Sequence, residues 1–578
     1  MKKLLAMVLV LALSFGILAA CAQDAPTTEE DTATTGAVDV ATPGTAASTE
    51  PGVSAGNVSA EAAPARGGTL ITGEFIIDTQ LVAKNPFAPS QTSMFVLDFI
   101  YERLLFINNA TGVLEPMLAE NYEWSPDFKE LILTIREDVQ WHDGHPFTAE
   151  DAAFTFEVMR DNPVLDRFAF WQRISNVRAN GNKFIIELNE PYLSLPFFLN
   201  DVRIVPKHIW ETFPDIPQEL NEIPVGTGPF MWRSMNIGTD VQLDANPNYY
   251  LGAPMVDDML ILMYNSAPNL SLAVLNGDLH ISPGLAMPFI PEFRTMPGAV
   301  IQIISGYAMW AVNINHEHEL LSDPIVRRAM AMAVNQNDLI VRAEQGVVFP
   351  TSPGFLPAVF GEFVSMDAFN SLQFDPAGAV ELLESNGFVR GSDNIFSTPD
   401  GQRLSFTYHN ASGAPAQQMA AGMIQQWLLN IGIEILPRLA TWPELTSMLQ
   451  TGEYQLLQNS IGVPPDPFAA LNTVFHSSMT APTGTPTPGL NYFRFRNATV
   501  DSLLDEAAVS TDEARRKEIF MEVQDIVAEN SIFLPMYNTG PRNYFWVDYE
   551  GQRVGGFPAV DEVSIFANRA IINLYLLP

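Results

Sequence analysis

Cysteine is almost absent from this chain of 578 residues, because Cys21 is the only one. An intrachain disulfide and a cysteine metal cluster are therefore excluded. Cations are also scarce: 30 Lys and Arg stand against 66 Asp and Glu, which gives a formal net charge of -36. Binding to a phosphate backbone needs clustered cations, so a nucleic-acid partner is excluded. We interpret the acidity as a solvated surface that limits self-association, and we expect a monomer.

Apolar residues, in contrast, are abundant. Hydrophobic residues make up 47% and aromatic residues 10% of the sequence, whereas a disordered chain is poor in both. A single core stops growing at roughly 250–300 residues. The sequence therefore predicts a folded protein of two or three lobes.

The start of the chain is typical of a lipoprotein signal. Two lysines precede an apolar run from Leu4 to Ala20 that is too short for a comfortable membrane span. The run ends in Leu18-Ala19-Ala20-Cys21, which resembles the bacterial lipobox, in which the chain is cut before a cysteine that carries lipid. We expect residues 1–20 to be a signal peptide and Cys21 to anchor the protein on the extracytoplasmic side, periplasmic or at the cell surface. The alternative is an ordinary secretory signal with an incidental cysteine.

The composition changes after the cysteine. Between Ala22 and Ala65 there is no Lys, Arg, aromatic residue, Leu, Ile or Met. Such a segment cannot bury enough apolar surface to offset the entropy of ordering, so we predict a disordered tether over residues 21–65. Residues 52–56 match the hydrolase elbow GxSxG, but that elbow requires a strand before it and a helix after it. The sequence predicts neither, so we discard the match.

From Arg66 onward, short runs rich in β-branched residues alternate with helical patterns, which predicts an α/β fold. We expect a first strand within 68–77 and a helix over 94–106. Thr148 and Asp151 are predicted to cap a helix, and Asp-Pro pairs indicate helix starts at Asp323 and Asp375. The helix after Asp323 is predicted to extend over 325–340. Four apolar side chains that step by four residues are predicted to form one buried helix face: Met419, Met423, Trp427 and Ile431.

Two groups of histidines are candidates for a metal site, and we predict no metal at either. In the segment from Trp141 to His145, a turn stabilised by Asp143, with Gly144 supplying the unusual backbone angle, is the simpler explanation. In the segment 316–319, an extended backbone would place two histidines on one face, but an exposed polar loop explains the pattern equally well. No cofactor is predicted.

Five blocks of motifs follow one another between about Arg66 and the C-terminus. The most recognisable leads from residues 114–120 to 141–151 and contains a strand, an HDG-x-P turn and a capped helix. The other blocks are 225–230 with 246–250 and 275–279, then 323–335, 375–383 and 497–537. Together they resemble the extracytoplasmic solute-binding proteins of family 5, the oligopeptide- and dipeptide-type receptors of ABC importers.

The resemblance implies an α/β, periplasmic-binding-protein-like fold of type II with three lobes. Lobe I would combine residues 66–110, 225–310 and 543–578. Lobe II would be an insertion at 111–224, and lobe III would span 311–542. Lobes I and III would close on a ligand, which requires that the closed form bind it more tightly than the open form.

The resemblance also implies three segments that contact the ligand. In this chain they correspond to the loop with Ser90, Thr92 and Phe95, the strand with Tyr307, Trp310 and Asn313, and the segment with Asn459, Ile461, Val463 and Asp466. Where the peptide receptors have an aspartate for the ligand's α-amino group, this register puts Val463. A buried ammonium without its carboxylate costs several kcal/mol. Either Asp466 takes over by a register change, or the ligand has no amine.

The resemblance implies a receptor and not an enzyme. It would capture a small solute, in the first place a peptide, and deliver it to the permease and ATPase subunits of an importer. An oligosaccharide is the alternative ligand, because sibling receptors stack sugars on aromatic faces such as Trp310, Trp442 and Tyr408 could offer. A secreted hydrolase would need a nucleophile, base and orienting acid, and the sequence presents none in a supported context. A surface adhesin would instead show an exposed apolar patch.

Overall fold

The computed structural model describes residues 66–75, 84–87, 96–108, 112–166, 169–412, 414–540, 542–546, 553–555 and 568–577. Its strands, numbered in chain order, are β1 Thr69–Phe75, β2 Leu105–Ile107, β3 Leu114–Pro116, β4 Ala119–Trp124, β5 Glu130–Ile135, β6 Ile174–Asn180, β7 Lys183–Leu188, β8 Phe230–Asn236, β9 Asp240–Ala245, β10 Asp258–Tyr264, β11 Ile281–Ser282, β12 Ala299–Ile303, β13 Ala308–Ile314, β14 Val389–Arg390, β15 Phe396–Ser397, β16 Ser405–Ala411, β17 Glu434–Ala440, β18 Leu456–Gly462, β19 Phe533–Thr539, β20 Arg542–Trp546, β21 Arg553–Gly555 and β22 Tyr575–Leu577.

The α-helices of the same residues are α1 Ala149–Asp161, α2 Leu195–Phe198, α3 Lys207–Trp210, α4 Ala267–Leu275, α5 Ile290–Thr295, α6 Pro324–Met332, α7 Gln336–Asp338, α8 Met366–Asn370, α9 Pro376–Ser385, α10 Pro415–Asn430, α11 Trp442–Thr451, α12 Pro467–Phe475, α13 Ala498–Val509, α14 Glu513–Glu529 and α15 Asn568–Ile571.

A seven-stranded sheet is assembled from distant parts of the sequence, in the order β12-β20-β11-β1-β10-β9-β8. Strand β1 is parallel to β10 and to β11, and β20 is antiparallel to both β11 and β12. Strands β1, β10, β11 and β12 therefore all run in one direction. Their carboxyl ends meet at one edge of the sheet, where the chain leaves β12 toward β13.

A five-stranded sheet has the order β17-β16-β18-β13-β19. Strand β13 is antiparallel to β18 and β19, whereas β16 is parallel to β17 and β18. The carboxyl ends of β16, β17, β18 and β19 therefore lie at the end where β13 begins. That end faces the seven-stranded sheet, because β12 leads into β13 and β19 leads back to β20.

The two connections between these sheets cross at a pair of glycines. A Cβ on Gly306 would lie 2.5 Å from the carbonyl oxygen of Thr539 and 2.6 Å from the Cα of Gly540. The buried side chain of Asn538 binds both strands of the crossing, because its amide donates to the carbonyl oxygens of Gly306 and Ala308, each at 2.7 Å. The chain thus passes twice between the sheets through one narrow, tied crossing.

A four-stranded sheet, β4-β5-β7-β6, lies within the segment inserted before β8. Helix α1 packs on β6 and β7, and it begins with the predicted cap, since Thr148 and Asp151 form a reciprocal capping box. Side chains of this sheet, such as Leu133 and Phe184, belong to the same buried cluster as Leu70 and Met259 of the seven-stranded sheet. These two sheets therefore share one core, whereas separate clusters cover the two faces of the five-stranded sheet.

Several local predictions are confirmed and several are wrong. Asp323 and Asp375 cap their helices, and Gly144 has a φ of 89° in the turn that Asp143 stabilises. The helix over 94–106 is too long: among the described residues, Val96 and Leu97 are helical, but 105–107 pair as β2 with β3. The helix over 325–340 is too long: α6 ends at Met332, and a π-helical turn follows at Leu339–Ala343.

The buried face predicted on α10 is confirmed in part, because Met423 and Ile431 are buried and Trp427 is partly buried. Met419 is 51% exposed, while the buried side chains of the helix are Ala420, Ala421, Met423, Ile424 and Leu428. A spacing of exactly four drifts around a helix with 3.6 residues per turn, so the true face needs steps of three as well.

Among the described residues, no helix is both long enough and apolar enough to cross a membrane.

Candidate functional site

The candidate site lies where the carboxyl ends of the two large sheets face each other across the glycine crossing. In open α/β sheets, ligands bind outside the carboxyl ends of the strands, where neighbouring connections diverge. In this protein, the seven-stranded and five-stranded sheets face each other with the carboxyl ends of their strands. The crossing at Gly306 and Gly540 connects these two edges.

An aromatic cluster occupies this end of the five-stranded sheet. Trp310 on β13 is half-buried, and its ring lies 6.2 Å from Trp442 and 6.4 Å from Tyr537. Trp442 is the first residue of α11, directly beyond the carboxyl end of β17, and it is 47% exposed. The cluster therefore places the exposed indole of Trp442 beside the half-buried ring of Trp310, which in turn lies near the buried ring of Tyr537.

Polar groups border the buried side of the cluster. Glu344 is 1% exposed, and its carboxylate lies 3.7 Å from the guanidinium of Arg542 at the start of β20. Burial raises the pKa of Glu344, partly opposed by the Tyr537 hydroxyl and the charge of Arg542. Burial and this neighbouring carboxyl raise the pKa of Tyr537 as well. The ion pair connects the two sheet regions beside the crossing.

On the seven-stranded sheet, Glu74 lies one residue before the carboxyl end of β1. Its Oε2 is buried and has no hydrogen-bond partner among the described residues. Burial raises the pKa of Glu74 to about 7. A ligand cation beside this carboxyl would stabilise its charged form, because the attraction between opposite charges offsets the cost of desolvation.

The ligand contacts implied by the resemblance do not all come together. On β13, Trp310 packs on one face of the sheet and Ala311 on the other. The sheet therefore divides the implied ligand contacts into two groups, one on each face. Trp310, Tyr408 and Trp442 belong to the first side, whereas Tyr307, Ile461 and Val463 pack with the second. By register, Asn313 and Asn459 also follow the second side, opposite Leu457 and Ala311.

Three of these residues have structural partners. Tyr408 is fully buried, and its hydroxyl donates to Gln458 at 3.1 Å. Asn313 is fully buried and donates to the carbonyl oxygen of Leu457. The backbone amide of Val463 donates to the carbonyl oxygen of Tyr307 at 2.9 Å, which prolongs the β13–β18 ladder.

Asp466 is buried and already bonded. It caps α12 by accepting from the amide of Ala469 at 2.6 Å, and it accepts from the hydroxyl of Ser194, in the inserted segment, at 2.7 Å. Burial raises the pKa of Asp466, opposed by these bonds and by the charge of Arg516. In this arrangement its carboxylate serves a contact between parts of the protein.

Other candidates lie outside the described residues: Cys21, Ser90, Thr92 and Phe95, together with the discarded GxSxG match.

The histidines of segment 316–319 do not form a group. The segment is a turn, so the alternative of an extended backbone is wrong. His316 is partly buried and bonds the carbonyl oxygen of Ile532, whereas His318 bonds Gln455. Burial lowers the pKa of His316 to about 3, so it is neutral at physiological pH.

Sequence reasoning missed Glu74 and Glu344. Glu74 did carry a signal, because it is the one charged residue of β1 and lies near the carboxyl end of that strand. Glu344 carried none, since its partner Arg542 is remote in the sequence.

The fold and the facing edges define a periplasmic-binding-protein-like solute receptor, and the comparisons with known proteins agree. The model of the bacterial extracellular solute-binding proteins, family 5, matches residues 113–481, more than half of the chain. The chain belongs to this family, which consists of solute-binding receptors.

Relatives match along most of their length. A Brucella ovis protein named as an ABC transporter peptide-binding protein is 28% identical over 486 residues, covering 80% of this chain and 86% of its own. Oligopeptide-binding protein AppA of Bacillus subtilis is 23% identical, covering 82% and 87%.

A solved structure of the periplasmic oligopeptide-binding protein of an ABC transporter from Thermotoga maritima has a TM-score of 0.75. It is 23% identical and covers 88% of this chain and 99% of its own. A second structure of that protein has mannohexaose bound and a TM-score of 0.66. At this level of identity, the likeness shows the fold.

Proposed function

We propose that this chain is the extracytoplasmic substrate-binding subunit of an ABC importer, and that it captures a peptide between its two large sheets and delivers it to a membrane permease. The observation that carries the proposal is the double crossing at Gly306 and Gly540 between two sheets whose strand ends face each other. Such a pair of short connections lets one lobe rotate on the other while few contacts change.

Two further points support a peptide. The relatives named above include proteins named for peptide binding. The site also supplies a carboxyl for an amine: with Val463 in the place of the expected aspartate and Asp466 bonded to Ser194, Glu74 takes over the recognition of a ligand ammonium. Its missing partner is then provided by the ligand.

An oligosaccharide is the second candidate, and the exposed face of Trp442 favours it. Sugars stack their apolar faces on aromatic rings, and the ring of Trp442 lies 6.2 Å from that of Trp310. In that case the ligand has no cation, and Glu74 acts only as a hydrogen-bonding group.

We propose that Cys21 carries a lipid that anchors the protein outside the cytoplasm, with residues 21–65 as the tether. The predicted signal segment and the composition of the tether support this. The partners are then the permease and ATPase subunits, and the receptor acts as a monomer without a catalytic step.

The test is a ligand screen on the full chain. Native mass spectrometry of protein purified from membranes should show a co-purified peptide. In a thermal-shift assay, short peptides should raise the melting temperature. A ligand at 100 times its Kd adds about 2.7 kcal/mol to the free energy of unfolding. If mannose oligosaccharides raise the melting temperature and peptides do not, the second candidate holds. If neither class does, the proposed ligands are wrong.

A further inference from the structure

Outside the cleft, the structure brings three potential metal ligands together on the surface of the inserted segment. Asp143 and His145 belong to the turn before α1. His208 belongs to α3 and lies 63 residues further along the chain than His145. One ligand atom of each residue lies within 4.8 Å of the others. Sequence reasoning considered His142 in place of His208, and so did not find this group.

The distances are close to those of a metal site. Asp143 Oδ1 lies 3.2 Å from Nδ1 of His145, and Asp143 Oδ2 lies 2.7 Å from Nε2 of His208. Ligand atoms bound at about 2.0–2.1 Å in a tetrahedron are separated from each other by about 3.3 Å. Small side-chain rotations are therefore enough to admit an ion.

The imidazole rings of His145 and His208 are both oriented toward the carboxylate of Asp143. They stack with centroids 4.1 Å apart and planes inclined by 26°, and each directs a ring nitrogen at the same carboxylate. Without an ion, each of these nitrogens must carry a proton to bond the carboxylate. A divalent cation takes the place of those protons and makes the same atoms ligands.

The backbone holds the ligands independently of any ion. The turn is fixed by the amide of Trp141, which donates to the carbonyl oxygen of His145, and by the unusual φ of Gly144. His142 is turned inward and bonds Gly228. On the other side, the amide of Lys207 at the start of α3 donates to Asp151 of α1 at 2.9 Å.

The site is open to ions from solution. The side chain of His145 is 59% exposed, and those of Asp143 and His208 are about one third exposed. The net charge of -36 raises the local concentration of cations at the surface. Two imidazoles and one carboxylate favour zinc, nickel or copper over the oxygen-seeking calcium and magnesium.

We propose that Asp143, His145 and His208 bind one divalent first-row transition-metal ion, such as Zn²⁺, and leave a further coordination position open to water. The bound ion ties the turn before α1 to α3 across the surface of the inserted segment. This site is separate from the ligand cleft, so the proposal stands or falls independently of the proposed function.

The experiment uses the full chain without an affinity tag, stripped of metal by chelator. Equilibrium dialysis against ZnCl₂ with metal analysis should show one zinc ion per chain, and excess Mg²⁺ should not displace it. His145→Ala, Asp143→Asn and His208→Gln should each lose the bound ion. The matched control is His409→Ala, on β16, which should retain it.

A second measurement uses the wild-type chain alone. Zn²⁺ should protect His145 and His208 from carbethoxylation by diethylpyrocarbonate, mapped by mass spectrometry, and should leave His409 equally reactive. The proposal is overturned if the wild type retains no zinc, if the three variants retain it like the wild type, or if protection does not favour His145 and His208.

Discussion

Gly306 and Gly540 pass each other so closely that neither can carry a side chain without displacing the opposite strand. A Cβ on Gly540 would lie 2.5 Å from the amide nitrogen of Gly306, and a Cβ on Gly306 would lie 2.6 Å from the Cα of Gly540. The obstacle in both cases is backbone, which cannot rotate away as a side chain can. The crossing therefore depends on the absence of both side chains.

We expect Gly306→Ala to lower the free energy of unfolding by about 1–3 kcal/mol, because an added methyl group must push the strands apart. Thermal and denaturant unfolding measure the change. The control is Gly462→Ala at the end of β18, where an added Cβ meets nothing within 4 Å. If the two substitutions have equal effects, the crossing is not tightly packed.

Glu74 should make stability depend on pH. Its folded-state pKa is about 7 against an ordinary value of 4.5, so folding favours the protonated form. The stabilising contribution is fully present below about pH 4.5 and is lost as the pH rises through 7. We expect Glu74→Gln to be about 1–3 kcal/mol more stable than the wild type at pH 8 and nearly equal to it at pH 4.5.

Denaturant titrations at several pH values measure this difference. Glu137→Gln, which changes an exposed carboxyl, is the control and should show no gain that grows with pH. If Glu74 binds the ligand ammonium as proposed, the same Glu74→Gln variant should bind peptides more weakly at pH 8. Unchanged peptide affinity would refute that role for Glu74.

Ser194→Ala tests whether Asp466 is a structural or a ligand-binding residue. Loss of the 2.7 Å bond leaves a buried carboxyl less satisfied, so we expect a loss of about 1.5–3 kcal/mol in the free energy of unfolding. Ser502→Ala, at an exposed position on α13, should change stability by less than about 0.5 kcal/mol. Ligand affinity should be unaffected, and a large drop in affinity with intact stability would assign Asp466 to the ligand.

Trp442→Ala should weaken ligand binding by about 1–2 kcal/mol, roughly tenfold in Kd, with little effect on stability. The exposed indole can contact a solute, and it contributes little to the core because nearly half of it is already in water. Isothermal titration calorimetry measures the affinity. Phe374→Ala removes an aromatic side chain of similar exposure, 48%, and should leave Kd unchanged.

If Cys21 carries lipid as proposed, Cys21→Ser should release the protein from membranes, because a serine hydroxyl cannot replace the thiol. Fractionation of cells that express the full chain measures the partition. Ser54→Ala, in the segment predicted to be a tether, should remain in the membrane fraction. Continued membrane association of Cys21→Ser would contradict the anchor.

Local features were predictable from the sequence. The capping box of Thr148 and Asp151, the aspartates that cap α6 and α9, and the turn at Gly144 each involve residues within a few positions of one another. Their geometry follows from short-range hydrogen bonds and backbone angles. Element boundaries were less predictable, since β2 forms only because residues 114–116 pair with it.

The candidate site depends on contacts that a single sequence does not reveal. Glu344 meets Arg542, Ser194 meets Asp466, and Asp143 meets His208, each pair far apart along the chain. The distribution of Trp310 and Ile461 between opposite faces also depends on strand register, because side chains alternate along a strand. Motif resemblance located the segments but did not show which side chains meet.

The shared core of the four-stranded and seven-stranded sheets limits how this receptor can be engineered or diversify. Grafting the inserted segment from a relative would place foreign side chains against Leu70 and Met259, so compatible substitutions on both sides would have to arrive together. The five-stranded sheet has its own clusters, so side chains at its inner end can be changed one at a time, away from the glycine crossing and the Ser194–Asp466 bond. New solute preferences should therefore accumulate on that half of the molecule first.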